Sequence, residues 1–144
     1  MPNKEKQHQY DQAYLKMARE WSQLSYCLRK KVGALIVKDN MIISDGYNGT
    51  PSNEPTNICE NDNGETHWYV LHGEANAILK CAKHGVSCDG ATLYMNMSPC
   101  KHCSKLILQA GITRVVFSEY YRDTEGVPFL EEYGIQMDMI PIEE

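Results

Sequence analysis

From residue 91 onward the chain alternates strand and helix signals, an order that few folds can satisfy. Residues 91–96 read as a buried strand, and Ser98-Pro99 as an N-cap with proline at the first helical position, where no donor is needed. That helix is expected to run to Gln109 or Ala110 and to stop at Gly111. Residues 114–118 form the next strand. Thr124 is the expected cap of a short helix through Phe129, Leu130 and Tyr133 that ends at Gly134, and residues 135–140 are a last, weaker strand. Strands joined through helices imply right-handed crossovers and parallel pairing.

The first half has a different pattern. Tyr10, Ala13, Tyr14, Met17, Ala18, Trp21 and Leu24 recur on one face of an amphipathic helix. Residues 32–38 and 41–47 are β-rich and separated by Asp39-Asn40, so they read as a hairpin. Residues 48–65, rich in Gly, Pro, Asn, Asp and Glu, predict an irregular loop on the surface or over a site. Residues 74–83 predict a helix with Ala75, Ile78, Cys81 and Ala82 inward and Gly85 as its stop. The order α-β-β-α-β-α-β-α-β predicts an α/β fold, with a mixed five-stranded sheet covered by helices on both faces. At 144 residues, one domain spanning residues 1–144 is expected.

The net charge is −5, and no basic run exceeds Arg29-Lys30-Lys31. Long nucleic acid is therefore not the expected partner, and a small substrate met by a local basic pocket is. Apolar stretches such as residues 33–37 and 115–117 are far too short to cross a bilayer. Residues 1–12 are polar and lack the apolar core of a secretory signal, so a cytoplasmic location is expected. In that compartment the six cysteines should stay reduced, and a close pair signals metal. Only Cys100 and Cys103 are closely spaced; Cys27, Cys59, Cys81 and Cys88 stand singly.

The chemistry is concentrated in His72-Gly73-Glu74 and, 28 positions after His72, in Pro99-Cys100-Lys101-His102-Cys103. Both segments fall at expected helix N-termini, where the helix field favours thiolate over thiol. Two thiolates and an imidazole suit zinc, and three protein ligands leave a fourth position for water. Zinc acidifies that water, and Glu74 is placed to move its protons without being a ligand. A closed structural site with Cys81, Cys88 or His102 as fourth ligand is the alternative, and it leaves Glu74 without a task. A second, structural zinc on Cys59 and His67 is also open.

The pattern H-x-E…P-C-x-x-C is the signature of zinc deaminases acting on nucleobases, and the chain resembles the cytidine and deoxycytidylate deaminase superfamily. The similarity covers roughly residues 10 to 140. It includes Ser25-Tyr26-Cys27-Leu28-Arg29, Gly46-Tyr47-Asn48-Gly49-Thr50-Pro51 and Ser118-Glu119-Tyr120-Tyr121-Arg122, and it is closest in kind to deoxycytidylate (dCMP) deaminases. The resemblance implies a cytidine-deaminase-like three-layer α-β-α sandwich, a zinc cofactor and hydrolysis of dCMP to dUMP and ammonia, supplying thymidylate synthesis. It further implies phosphate contacts from Arg29, Arg122 and Tyr121, a sugar contact from Asn48, and base contacts from the backbone of Gly73 and Cys100. Family members usually carry alanine where this chain has Gly73. They are often homo-oligomers, hexamers or dimers, and some bind regulatory dCTP or dTTP near the Asn48 loop. Two rival readings stand beside dCMP: another amino-base substrate such as cytidine, and a non-catalytic zinc-stabilised nucleotide-binding module.

Overall fold

The first helix begins well before its apolar face does. A computed structural model describes residues 3–144; of the polar N-terminal stretch, Met1 and Pro2 lie outside the described residues. Helix α1 spans Lys4–Ser22, starting six residues ahead of Tyr10, because the Asn3 carboxamide oxygen caps it by accepting from Lys6 N at 2.8 Å. Strands β1 (Gly33–Lys38) and β2 (Met41–Tyr47) form the expected hairpin. Asp39 and Asn40 both take positive φ, 53° and 61°, as a two-residue turn of this hand requires. Then follow α2 (Gly73–His84), β3 (Thr92–Met95), α3 (Lys101–Gln109), β4 (Arg114–Phe117), α4 (Gly126–Glu132) and β5 (Gln136–Met139).

The sheet order is β2-β1-β3-β4-β5. β1 pairs antiparallel with both β2 and β3, whereas β3–β4 and β4–β5 are parallel, the mixed pattern predicted from element order. Successive strand residues point to opposite faces, and both faces are covered. On one side Tyr14, Leu15 and Ala18 of α1 pack on Leu35, Val37, Tyr94 and Val116. On the other, Ala77 and Cys81 of α2, Ile107 of α3 and Leu130 of α4 pack on Ala34, Ile36, Leu93, Met95, Val115 and Phe117. The result is the expected α-β-α sandwich. Among the described residues no helix is long and apolar enough to cross a membrane.

Two expected caps are placed differently. Ser98 does not cap α3, because its hydroxyl accepts from Tyr121 N at 2.7 Å; Cys100 is the N-cap, its sulfur accepting from Cys103 N. Thr124 does not cap α4, whose N-cap is Glu125 without a side-chain bond; Asp123 instead accepts from Glu125 N and, across the fold, from Lys101 N. One aspartate thus ties the loop after β4 to the start of α3. Gly46 on β2 serves the site from the other side. A Cβ there would lie 2.5 Å from the Gly73 carbonyl oxygen and 2.7 Å from Ala77 N, so only glycine lets the start of α2 press against β2.

Two further ties hold the layers. Buried Asp11 on α1 accepts from both terminal nitrogens of Arg114 on β4, at 3.0 and 2.9 Å, and from the Tyr94 hydroxyl on β3 at 2.6 Å. Arg114 also donates to Asp138 on β5 at 2.8 Å. Burial opposes the charge on Asp11, but the bonds from Arg114, Tyr94 and Gln7 outweigh it and hold the carboxyl below its ordinary value. The second tie corrects the expectation of reduced single cysteines: Cys27 and Cys59, 32 residues apart, form a disulfide. It pins the irregular loop 48–65 to the segment leading into β1. Cys81 and Cys88 are free and buried in the core.

Because the Asp11 carboxyl is lowered on folding, its contribution is present above about pH 4 and is lost as pH falls through the folded-state value. Arg114→Leu leaves a buried carboxylate unpaired and should cost about 3–5 kcal/mol in urea unfolding at neutral pH. The gap from wild type should narrow below about pH 4. A cost under about 1 kcal/mol would show that the pair behaves as a surface salt bridge. For the disulfide, chelated and denatured protein should titrate four thiols without reductant, those of Cys81, Cys88, Cys100 and Cys103, and six after reduction. Six without reductant would contradict the Cys27–Cys59 bond.

Candidate active site

Two helix starts meet beyond the C-terminal end of β3, where a parallel pairing gives way to an antiparallel one. A pocket of ≈ 350 Å³ opens there. His72 is the N-cap of α2 and Cys100 the N-cap of α3. His72 Nδ1 stands 3.5 Å from Cys100 Sγ and 3.2 Å from Cys103 Sγ. The sulfur at the cap and the one three residues on lie on the same side of the first turn of α3, as the C-x-x-C spacing predicts.

A bond from Cys103, with burial opposing and His72 assisting, holds the Cys100 thiol down to about 4. The same bond to Cys100, together with burial, pushes the Cys103 thiol well above its usual range. The hydrogen bond with Cys100 raises His72 against the opposing effect of burial. Their mutual bonds thus favour the thiolate at Cys100 over the one at Cys103.

These residues fit a zinc ion. Tetrahedral zinc with N and S ligands at about 2.0–2.3 Å sets those atoms roughly 3.3–3.8 Å apart, which the two His72–sulfur distances approach without rearrangement. Two soft thiolate donors and one imidazole are the donor types zinc selects. The side chains considered as a fourth ligand are not part of this cluster of ligand atoms, which holds His72, Cys100 and Cys103. Cys81 and Cys88 lie in the core, and His102 is exposed on the outer side of α3. The suggested second zinc on Cys59 and His67 is not formed as such: Cys59 is bonded to Cys27, and the His67 ring stacks on Tyr69 at 4.9 Å.

Glu74, on the first turn of α2, is only 3% exposed and lines the same pocket. Burial pushes its carboxyl up to about 7, with the His72 charge pulling the other way. Gly73 beside it is the first residue of α2, so its amide has no partner within the helix. A Cβ at Gly73 would sit 3.0 Å from the Val32 carbonyl oxygen, so glycine admits the lead into β1 closer than alanine would.

The mouth of the pocket is basic although the chain is acidic overall. Arg29, Arg122 and Tyr121 line it as expected, and Lys30 joins them. Lys30 Nζ and the Arg122 guanidinium stand 5.6 and 5.9 Å from the centroid of the Tyr121 ring. Tyr121 is anchored by the bond from its amide to Ser98. Asn48 also lines the pocket, but its side chain is engaged with the backbone: Oδ1 accepts from Val32 N at 2.9 Å and Nδ2 donates to Lys30 O at 2.8 Å. One lone pair and one N–H remain for a ligand. Asn96 makes the matching bonds one residue along, to Gly33 N and Lys31 O. The pair of asparagines grips residues 30–33 from both sides.

All eight sequence-selected residues other than Cys103 line the pocket, and Cys103 completes the ligand trio behind it. Sequence reasoning missed Lys30, which stood in view within the Arg29-Lys30-Lys31 run. It also missed Glu60, Thr66, Val70, Met95 and Met97, which carried no local signal.

Comparison with known proteins agrees with this geometry. The family described as the cytidine and deoxycytidylate deaminase zinc-binding region matches residues 8–119. Deoxycytidylate deaminase of Mycobacterium phage D29 is 37% identical over 121 residues, 75% of this chain and 93% of that protein. ComE operon protein 2 of Bacillus subtilis is 36% identical over 127 residues; these are 83% of this chain but 65% of that longer protein. The crystal structure of dCMP deaminase from cyanophage S-TIM5 in complex with dCMP and dUMP is 43% identical, with a TM-score of 0.88 over 97% of this chain and 99% of that one. By fold, motif and sequence, the chain belongs to the zinc-binding cytidine and deoxycytidylate deaminase family.

Proposed function

We propose that residues 1–144 act as one deaminase domain that hydrolyses dCMP to dUMP and ammonia, with zinc held by His72, Cys100 and Cys103. The observation that carries this reading is the meeting, in one pocket, of a buried proton carrier and the ligand trio with a basic mouth. The similarity to a phage dCMP deaminase solved with dCMP and dUMP supports the same substrate. Zinc held by three protein ligands makes water acidic enough to supply hydroxide at neutral pH.

The protein's own groups do the rest. Val32, Val70, Met95 and Met97 wall the pocket with apolar surface suited to a pyrimidine. Glu74 takes a proton from the attacking water and delivers it to N3 of cytosine as C4 becomes tetrahedral. It then transfers the second proton to the 4-amino group, which leaves as ammonia while the C4 carbonyl forms. The free amide of Gly73 and the backbone of Cys100 steady the base. Arg29 and Arg122 neutralise the 5′-phosphate, with Tyr121 between them, and the spare valences of Asn48 meet the deoxyribose hydroxyl. Such charges favour a monophosphate over cytidine, and a proton carrier has no use in a module that only binds.

The reading includes self-association into a homo-oligomer, with the strongly exposed Leu28 (82%) and Trp68 (92%) as the proposed apolar contact points. Regulation by dCTP or dTTP through the Asn48 loop belongs to the same reading. A monomer mass in light scattering, with turnover indifferent to either triphosphate, would refute both. For the chemistry, Glu74→Gln should keep one zinc per chain while kcat falls at least about 10²-fold, the worth of a positioned acid–base group. Cys103→Ser should lose zinc and activity together. Near-normal turnover by zinc-loaded Glu74→Gln would remove Glu74 from the reaction.

A further inference from the structure

A carboxylate in a pocket meant for a phosphate dianion is out of place unless its charge is spent elsewhere. Glu60 is such a group. It lines the pocket together with Arg29, yet it is 8% exposed. Its Oε2 accepts from Leu28 N at 3.0 Å and from Arg29 N at 3.2 Å, and Oε1 from Leu28 N at 3.3 Å. Both carboxylate oxygens are thus engaged by two successive amides of the segment that brings Arg29 to the mouth. Carboxylate–amide bonds of this kind are the strong class of hydrogen bond.

The surroundings make Glu60 a rigid anchor for that segment. Its neighbour Cys59 is bonded to Cys27, one residue before Leu28. Glu60 itself bridges to Thr66, and Cys59 O accepts from His67 N at 2.8 Å, so the loop end carrying the carboxylate is itself held. Downstream of Arg29, Asn48 and Asn96 fix residues 30–33. Arg29 is the exposed residue between these two clamps. We infer that Glu60 is a positioning residue that, by fixing the backbone of Leu28 and Arg29, aims the Arg29 guanidinium at the substrate phosphate. It acts on phosphate recognition and leaves the chemical step alone. The inference rests on the proposed phosphate role of Arg29.

The test compares dCMP with deoxycytidine, which lacks the phosphate, in zinc-loaded full-length protein. Glu60→Ala should raise KM for dCMP about tenfold, the loss expected for one charged hydrogen bond, with kcat within about twofold. Its kcat/KM for deoxycytidine should be unchanged. Glu60→Gln keeps one oxygen for the two amides and should fall between wild type and Glu60→Ala, which also serves if the alanine variant folds poorly. Arg29→Ala should lower the dCMP preference by itself, and adding Glu60→Ala to it should have little further effect.

Equal losses on dCMP and deoxycytidine would overturn the inference in favour of a general structural role. So would an unchanged KM, a full additional loss in the double variant, or a fall in bound metal on Glu60→Ala. If wild type shows no preference for dCMP over deoxycytidine, the phosphate reading fails first, and the Glu60 inference falls with it. A failure confined to the Glu60 variants leaves the phosphate reading standing.

Discussion

Everything at this site depends on two helix N-termini being held against each other. α2 brings His72 and Glu74, and α3 brings Cys100 and Cys103; neither helix alone has a metal site or a proton carrier near one. Their fields add where the trio meets, which favours the anionic sulfur that metal binding needs. Close approach is what makes this work. Gly46 lets α2 press on β2, and Asp123 ties the first turn of α3 to the loop after β4. The sheet beneath, locked to α1 through Asp11 and Arg114, gives both helices a common rigid base.

The second half of the site is built differently. The proposed reaction groups sit at helix starts, whereas the basic mouth sits on the irregular segment before β1 and the loop after β4. Irregular backbone holds a charge in place only if its polar groups are tied down, and here they are. Asn48 and Asn96 bond residues 30–33, Glu60 bonds Leu28 and Arg29, and Ser98 bonds Tyr121. Glu60 and Asn48 are thus polar pocket residues whose main bonds are to backbone.

What the sequence made legible follows the range over which each signal acts. Local patterns were enough for the nine elements of the described residues, because period and turn chemistry are properties of short windows. Paired helix-start motifs were enough to single out His72, Glu74, Cys100 and Cys103, which the fold brings together, because metal chemistry restricts both residue type and spacing. Boundaries slipped where a long-range partner competed for a local cap: Ser98 looked free to cap α3, but its hydroxyl is taken by Tyr121 from the next loop. Residues 4–9 hid the start of α1 because they are polar all round. Cys27 and Cys59 looked single because 32 residues separate them and only the folded loop brings them together. Glu60 had no signal, since a glutamate in a polar loop looks like solvent-facing charge until its amide partners are seen.

The central claim is that these four residues, with zinc, exchange the 4-amino group of dCMP for oxygen from water. It is tested most directly by incubating the purified zinc-loaded protein with dCMP in water enriched in the heavy oxygen isotope, and weighing the product by mass spectrometry. The account predicts dUMP carrying a single heavy oxygen on its base, formed together with an equal amount of ammonia. Unchanged dCMP, or dUMP formed without the heavy oxygen, would contradict it.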